Sequence, residues 1–216
     1  ALDLSGGVVW DMFYRLGFGQ STGIGFPGES IGHLPDSTHW RPIEVAAMSY
    51  GYGLNATALQ LAQAYMVLGN GGLKYPLGLI YRDEIEQGEQ VLSQSVSDSV
   101  RKAMKAVVSK GGTGTRAQLP LYEVGGKTGT VHRVGKRGYE KSEYKALFAG
   151  VAPIDNPEIA MVVVIDGPAG AEYYGGEVAA PVFSRVVNGA MRLLNVRPDK
   201  GLAESLSKSN TLASRK

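Results

Sequence analysis

Apolar residues recur at helical spacing in several stretches of the chain, and in unbroken or alternating runs in others. Over 7–16 (GVVWDMFYRL), Val9, Phe13 and Leu16 fall on one stripe and Gly17 supplies a stop, which predicts a short helix. From Phe18 to Pro42, glycine and proline punctuate the chain and no period of 2 or 3.6 is sustained, so a long structured connection is expected. Helical rhythm returns over 55–70 (NATALQLAQAYMVLGN), with Ala58, Leu61, Ala62, Tyr65 and Leu68 inward and Leu59 and Met66 widening that face. Asn55 is the expected N-cap, and Gly71-Gly72 the stop. Around 79–81 and 90–92 short extended pieces flank a charged turn (RDEIEQGE), the pattern of a surface hairpin. A further helix is predicted over 97–109, where Val100, Ala103, Met104, Val107 and Val108 follow i, i+3, i+4, i+7, i+8. Ser97 and Asp98 would cap its start, and Lys110-Gly111-Gly112 would end it.

The pattern then changes. Stretches 122–132, 146–151 and 159–165 read as strands, the last (IAMVVVI) bounded by Asn156-Pro157 and Gly167-Pro168. Between the first two lies a basic, polar stretch, Arg133 to Lys145, expected to be a loop. Short connections favour an antiparallel sheet of sequence neighbours. A last amphipathic helix is predicted over 178–195, with Pro181 in its first turn. The remainder, from Pro198 on, has little to bury and is expected to be a mobile tail.

Composition narrows the functional classes. The 216 residues contain no cysteine, which removes disulfides, thiolate nucleophiles, cysteine zinc sites and Fe–S clusters together. With 22 Lys+Arg against 20 Asp+Glu, and no run of five or six like charges, a nucleic-acid surface is not expected. No stretch approaches ~18 uninterrupted apolar residues, and the first ten residues lack the pattern of a signal peptide. Thirty glycines point to many turns and close backbone approaches.

Several motif-like runs fail on context. Gly23-Ile-Gly-Phe-Pro-Gly28 has the letters of a dinucleotide fingerprint, but no strand leads into it and no helix follows. Gly126-Lys127-Thr128 resembles the end of a phosphate-binding loop, yet Leu121 stands where the first glycine belongs and the tripeptide lies within a predicted strand. His33, His39 and His132 are too far apart in sequence for a helical metal pair, and Glu84 and Glu86 sit in a solvated turn. No metal or cofactor is expected.

The informative run is Val124-Gly-Gly-Lys127-Thr128-Gly129-Thr130-Val131 on a strand. Lys-Thr-Gly is one of three elements of penicillin-interacting serine enzymes, beside Ser-x-x-Lys and Ser-x-Asn/Asp. At a sheet edge, hydroxyl, ammonium and backbone groups converge on one groove, and Gly129 omits a side chain where a substrate backbone would approach. An unpaired edge can accept a peptide as an added strand. Taken alone, the letters also fit a chance turn between strands.

Other segments resemble the same family in the same order. Ser49-Tyr-Gly-Tyr-Gly-Leu-Asn-Ala-Thr-Ala-Leu-Gln-Leu-Ala-Gln-Ala-Tyr65 is similar to the segment preceding the Lys-Thr-Gly strand in class B penicillin-binding proteins. Phe148-Ala-Gly-Val-Ala-Pro153, Met161-Val-Val-Val-Ile-Asp166 and Tyr173-Tyr-Gly-Gly-Glu-Val-Ala-Ala-Pro-Val-Phe183 resemble the division-specific, penicillin-binding-protein-three type of Gram-negative bacteria. The resemblance covers about residues 1–198, leaving 199–216 as a tail expected to be disordered.

That resemblance implies an α/β (α+β) fold, an antiparallel sheet of about five strands flanked by helices, of which this chain would supply the later strands and the C-terminal helix. It implies a serine D,D-transpeptidase that cross-links peptidoglycan stem peptides ending in D-Ala-D-Ala at the septum and is acylated by β-lactams. Lys127 would hold a positive field over the groove and support proton transfer. Thr128 and Thr130 hydroxyls would bind a carboxylate, and the Thr130 backbone N–H would be one of two oxyanion-hole donors, each worth on the order of 3 kcal/mol in the transition state. Tyr52, Tyr139, Tyr173 and Tyr174 would line the cleft. A membrane glycan polymerase and other division proteins are the implied partners, at the periplasmic face of the inner membrane, with an anchor expected upstream. A D,D-carboxypeptidase or β-lactamase of the same fold, and a non-catalytic peptide-binding module, remain as alternatives.

The family's nucleophile belongs to a Ser-x-x-Lys upstream of the Lys-Thr-Gly strand. Ser99-Val-Arg-Lys102 matches the letters but sits on a packing helix, while Ser142-Glu-Tyr-Lys145 and Ser205-Leu-Ser-Lys208 lie downstream. No Ser-x-Asn or Ser-x-Asp occurs in the 216 residues. Ala1-Leu-Asp-Leu resembles the stretch that follows that second motif, so the chain is expected to be the C-terminal part of a transpeptidase domain, inactive by itself.

Overall fold

The computed structural model describes residues 3–37, 40–81, 83, 86–135 and 138–200, with the side chains of 134–142 excepted. The chain forms two compact units, Ala1–Ser97 and Asp98–Lys216.

The first unit contains helices α1 (Gly6–Arg15), α2 (Pro42–Ser49) and α3 (Ala58–Gly69) and a small antiparallel hairpin of β1 (Leu73–Lys74) with β2 (Glu89–Gln90). On α1, Val9, Phe13 and Leu16 are the half-buried stripe that the spacing predicts. Helix α2 lies at the end of the glycine- and proline-rich stretch and was not expected from periodicity. It starts at Pro42, whose missing N–H costs nothing in a first turn, and Glu44 accepts from the Arg41 backbone N–H at 2.6 Å. Its eight residues are too few to display a period, although Val45 and Met48 are buried.

Helix α3 starts later than expected. Thr57, not Asn55, caps it: the Thr57 hydroxyl accepts from the Gln60 N–H at 3.1 Å while the Gln60 side chain accepts from the Thr57 N–H at 2.9 Å. Asn55 instead exchanges backbone hydrogen bonds with His33 at 2.7 and 2.8 Å. Within this unit the buried face is Gln60, Gln63, Ala64, Val67 and Gly69, so Ala58 is exposed and Leu61, Ala62, Tyr65 and Leu68 are only half-buried. Partial burial pushes the Tyr65 phenol up to about 12. Val67, Val91 and Leu92, with Leu16 and Leu68 against them, form a small apolar cluster. The extended piece expected at 79–81 is no strand: Leu79, Ile80 and Tyr81 are exposed, and β2 pairs with Leu73–Lys74 instead.

Helix α4 (Gln94–Val108) begins in the first unit and ends in the second. Ser93, rather than Ser97, meets its first turn, accepting from the Val96 N–H at 3.3 Å. Ser97 is fully buried and donates to the Leu68 carbonyl at 2.5 Å. Met104 and Val108 are buried as expected, but Ala103 is exposed.

The second unit is built on a sheet in the order β3–β4–β5, all antiparallel: β3 (Gly125–Gly135), β4 (Gly138–Ala152) and β5 (Ile159–Asp166). The polar stretch expected to be a loop is therefore largely paired strand, with a register shift between His132 and Val134. Its charges form cross-strand pairs on a solvated ladder, Arg133 with Glu143 at 2.6 Å and Lys145 with Asp166 at 2.8 Å. Lys145 holds the Asp166 carboxyl below the usual carboxylate range. One short helix, α5 (Gly175–Val178), leads into α6 (Ala180–Leu193), which has Pro181 in its first turn as predicted. Phe183, Val187 and Met191 of α6 are fully buried in a core with Phe148, Val163, Leu119 and Tyr122. Phe148 and Phe183 meet edge-on, 4.9 Å between ring centroids.

Asp199 and Lys200 are held: Asp199 accepts from the Glu123 N–H at 2.9 Å and the Lys200 ammonium donates to the Leu119 carbonyl at 2.8 Å. The rest of the expected tail, 201–216, lies outside the described residues. Helices packed with an antiparallel sheet give the mixed class expected of this chain. Among the described residues, no helix is long and apolar enough to cross a membrane, and no cluster of His, Asp and Glu could hold a metal ion.

Candidate active site

Strand β3 carries the Lys-Thr-Gly run and has one neighbour, β4, among the described residues. It is an edge strand, so every second N–H and C=O along it faces away from the sheet. The register sets Thr128 opposite Phe148 and Thr130 opposite Ala146, which places both threonines on one face, with Lys127 and Gly129 on the other. Lys127 is exposed, and Thr128, Gly129 and Thr130 are half-buried. The Lys127 ammonium donates to the Thr128 carbonyl at 2.8 Å. At Gly129 a Cβ would lie 2.7 Å from Leu147 Cγ, so within the sheet the glycine makes room for a cross-strand leucine.

Helix α5 closes over the threonine face. Gly175 donates its backbone N–H to the Thr130 hydroxyl at 3.1 Å, and a Cβ there would strike the carbonyl oxygens of Leu147 and Gly129. At Gly176 a Cβ would strike the Thr113 carbonyl. The Thr113 hydroxyl, from the loop after α4, lies 2.9 Å from the Thr128 hydroxyl. Sequence reasoning singled out neither Thr113 nor the two glycines for the site. Thr113 is fifteen residues from its partner and belongs to an ordinary-looking Gly-Gly-Thr-Gly turn.

Tyr173 and Tyr174 precede α5 and belong to an aromatic ladder. Tyr173 stacks on Tyr144 at 4.2 Å and on Tyr174 at 4.4 Å, and Tyr144 meets His132 at 4.7 Å. The Tyr173 and Tyr174 hydroxyls are hydrogen-bonded at 3.1 Å, and that contact holds the Tyr174 phenol above its ordinary value. Tyr144 is a further residue that sequence reasoning missed. It sits opposite His132 in the stretch that polarity marks as a loop.

The remaining candidates lie on other elements. Tyr52 belongs to the first unit, in the turn after α2, where its N–H donates to the Ala47 carbonyl at 3.1 Å. Tyr139 lies on β4 opposite Val134, and its side chain is outside the described residues. Ser99 and Lys102 are exposed on α4. Of the other two Ser-x-x-Lys runs, Lys145 is paired with Asp166, while the Ser142 side chain and Ser205–Lys208 lie outside the described residues, as do His39 and Glu84. No helix opens at Gly23–Gly28. Glu29 of that loop accepts from the Ser21 and Thr22 hydroxyls, which hold its carboxyl below the usual range.

Chemically, β3 offers two hydroxyls, an ammonium and outward backbone groups along one strand edge. Such a set has the chemistry to receive an anionic, extended ligand such as the carboxylate end of a peptide.

Residues 9–188 match the family described as the penicillin binding protein transpeptidase domain. The peptidoglycan D,D-transpeptidase FtsI of Escherichia coli K12 is 40% identical over 199 residues, covering 92% of this chain and 34% of that protein. FtsI of Buchnera aphidicola is 36% identical over 92% of this chain and 35% of its own length. The chain thus spans about a third of the length of these curated relatives. Among solved structures, the apo transpeptidase domain of Burkholderia pseudomallei penicillin-binding protein 3 superposes with a TM-score of 0.85 at 39% identity, covering 91% of this chain and 60% of that one. A family match across most of its length, and a shared fold at that identity, establish that this chain belongs to the penicillin-binding protein transpeptidase domain family.

Proposed function

We propose that this chain supplies the carboxylate-binding wall and one oxyanion donor of a septal peptidoglycan D,D-transpeptidase, and that the whole protein is acylated by β-lactams. The observation that carries the reading is the open edge of β3, where Lys127 on one face and Thr128 and Thr130 on the other flank the same outward backbone groups. Thr128 turns its carbonyl toward the exposed Lys127 ammonium, and alternation gives Thr130 the same backbone side. That orientation supports the Thr130 N–H as a donor to a developing oxyanion.

In the reaction, a serine outside these 216 residues attacks the carbonyl of the penultimate D-Ala of a stem peptide. A C–O bond forms and the C–N bond breaks. The serine proton goes to the departing D-alanine amine. An amine of a second stem peptide then forms a C–N bond to the acyl carbon as the ester C–O bond breaks, and one amine proton returns to the serine oxygen. Lys127 assists by holding positive charge beside the proton path and the terminal carboxylate. Tyr52, Tyr139, Tyr173 and Tyr174 are proposed as the aromatic lining. The proposed setting is the periplasmic face of the inner membrane, with an anchor supplied upstream and a glycan polymerase and other division proteins as partners.

The test uses the full-length protein and a fluorescent penicillin. Wild type forms a covalent adduct that persists over minutes, and Lys127→Ala is acylated about 100-fold or more slowly, the scale of general acid–base assistance. Wild-type labelling of Lys127→Ala overturns the reading, and rapid release of the acyl group turns it into a hydrolase.

A further inference from the structure

We propose that Thr113 is a positioning residue that orients the Thr128 hydroxyl toward the ligand's carboxylate, an inference that rests on the function proposed above. A threonine hydroxyl has one proton to donate and two lone pairs to accept with. Thr130 accepts from the Gly175 N–H at 3.1 Å, which uses a lone pair and leaves its proton for a ligand. Thr128 shares a hydrogen bond with Thr113 at 2.9 Å. If Thr128 donated in that bond it would have no proton for an anion, so in the bound state Thr113 donates and Thr128 accepts. Both threonines on the face are then primed as donors, and the Thr113–Thr128–carboxylate chain strengthens each of its links by polarisation.

The loop that presents Thr113 is held on both sides. Gly112 donates its N–H to the Ser109 carbonyl at 2.9 Å, and Gly114 donates to the Val107 carbonyl at 2.9 Å, tying both flanks to the end of α4. The Thr113 carbonyl itself lies where a Cβ on Gly176 would be. At Gly114 a Cβ would lie 3.0 Å from Phe148, so the loop is also seated on the core under β4. A hydroxyl fixed this way selects one rotamer of its partner, which is what preorganised donors need.

The experiment compares wild type, Thr113→Val and Thr113→Ser in the full-length protein. One probe is benzylpenicillin, which carries a free carboxylate, and the other is its methyl ester. In both, the β-lactam C–N bond opens as the serine C–O bond forms, and the proton passes to the ring nitrogen. Thr113→Val, which keeps the volume and loses the hydroxyl, is expected to lower the second-order acylation rate for the acid about tenfold, mainly through weaker non-covalent binding. Thr113→Ser is expected to restore it to within about twofold. For the ester the three proteins react alike. Wild-type rates for Thr113→Val with the acid overturn the inference. So does an equal loss with acid and ester, which marks a loosened loop, and so does failure of serine to rescue. Absence of any adduct on wild type overturns the functional reading and this inference together, whereas normal acylation of Thr113→Val removes only the latter.

Discussion

Gln60 is fully buried, yet its amide has a use for each of its atoms. The NH2 group donates to the Gln20 and Ile31 carbonyls, both at 2.8 Å, and reaches the Gly17 carbonyl at 3.4 Å, while the oxygen completes the capping box with Thr57. One side chain thus satisfies backbone groups of the irregular stretch that precedes α2 and ties them to the first turn of α3. Gln60→Leu fills the same space but orphans at least two carbonyls, so a loss of about 3 kcal/mol is expected, read as a lower urea midpoint. An unchanged midpoint would show that those carbonyls find water instead. Sequence pattern had no means of finding Gln60, because periodicity assigns a polar residue to the solvent side. That assumption rotated the expected buried face of α3. Lys127, Thr128 and Thr130 were singled out for the opposite reason, since they lie within one four-residue run whose chemistry is carried by the letters themselves.

At the scale of elements, long apolar rhythm was reliable. Helices α1, α3, α4 and α6 start and stop within three residues of the spacing-based expectation, and β5 coincides with its β-branched run. Errors fell where a short element or a charged ladder breaks the rhythm: α2 is eight residues long, and in the polar first half of β4 Glu143 and Lys145 pair with charges on the neighbouring strands. The seating of α5 was beyond sequence reasoning, because it depends on the glycines at 175 and 176 meeting carbonyls from β3, β4 and the Thr113 loop. Those carbonyls cannot yield as a flexible side chain would. Gly175→Ala is therefore expected to lift α5 from the sheet, break the N–H bond to Thr130, and slow β-lactam acylation of the full-length protein on the order of tenfold, as loss of a preorganised contact does. Stopped-flow acylation and a thermal melt check both halves. A normal rate with a normal melting temperature would mean that α5 does not brace Thr130.

For the whole molecule, the function proposed above assigns these residues one wall of an active site and leaves the nucleophile to another part of the protein. The single Ser-x-x-Lys run with both side chains described, Ser99 and Lys102, is solvent-exposed on α4. Covalent catalysis needs a serine desolvated beside its base and aimed at a carbonyl held by oxyanion donors. An exposed helix surface does not desolvate a serine, and Thr128 and Thr130 hydrogen-bond to Thr113 and to the Gly175 N–H rather than to a base. The 216 residues alone, incubated with benzylpenicillin, are therefore expected to keep their intact mass, while the full-length protein gains the mass of one β-lactam. A stoichiometric adduct on the 216-residue chain, mapped by peptide digestion to any of its serines, would overturn this division of labour. It would make β3 part of a self-sufficient site and require the acylated serine to approach the Lys127–Thr130 edge.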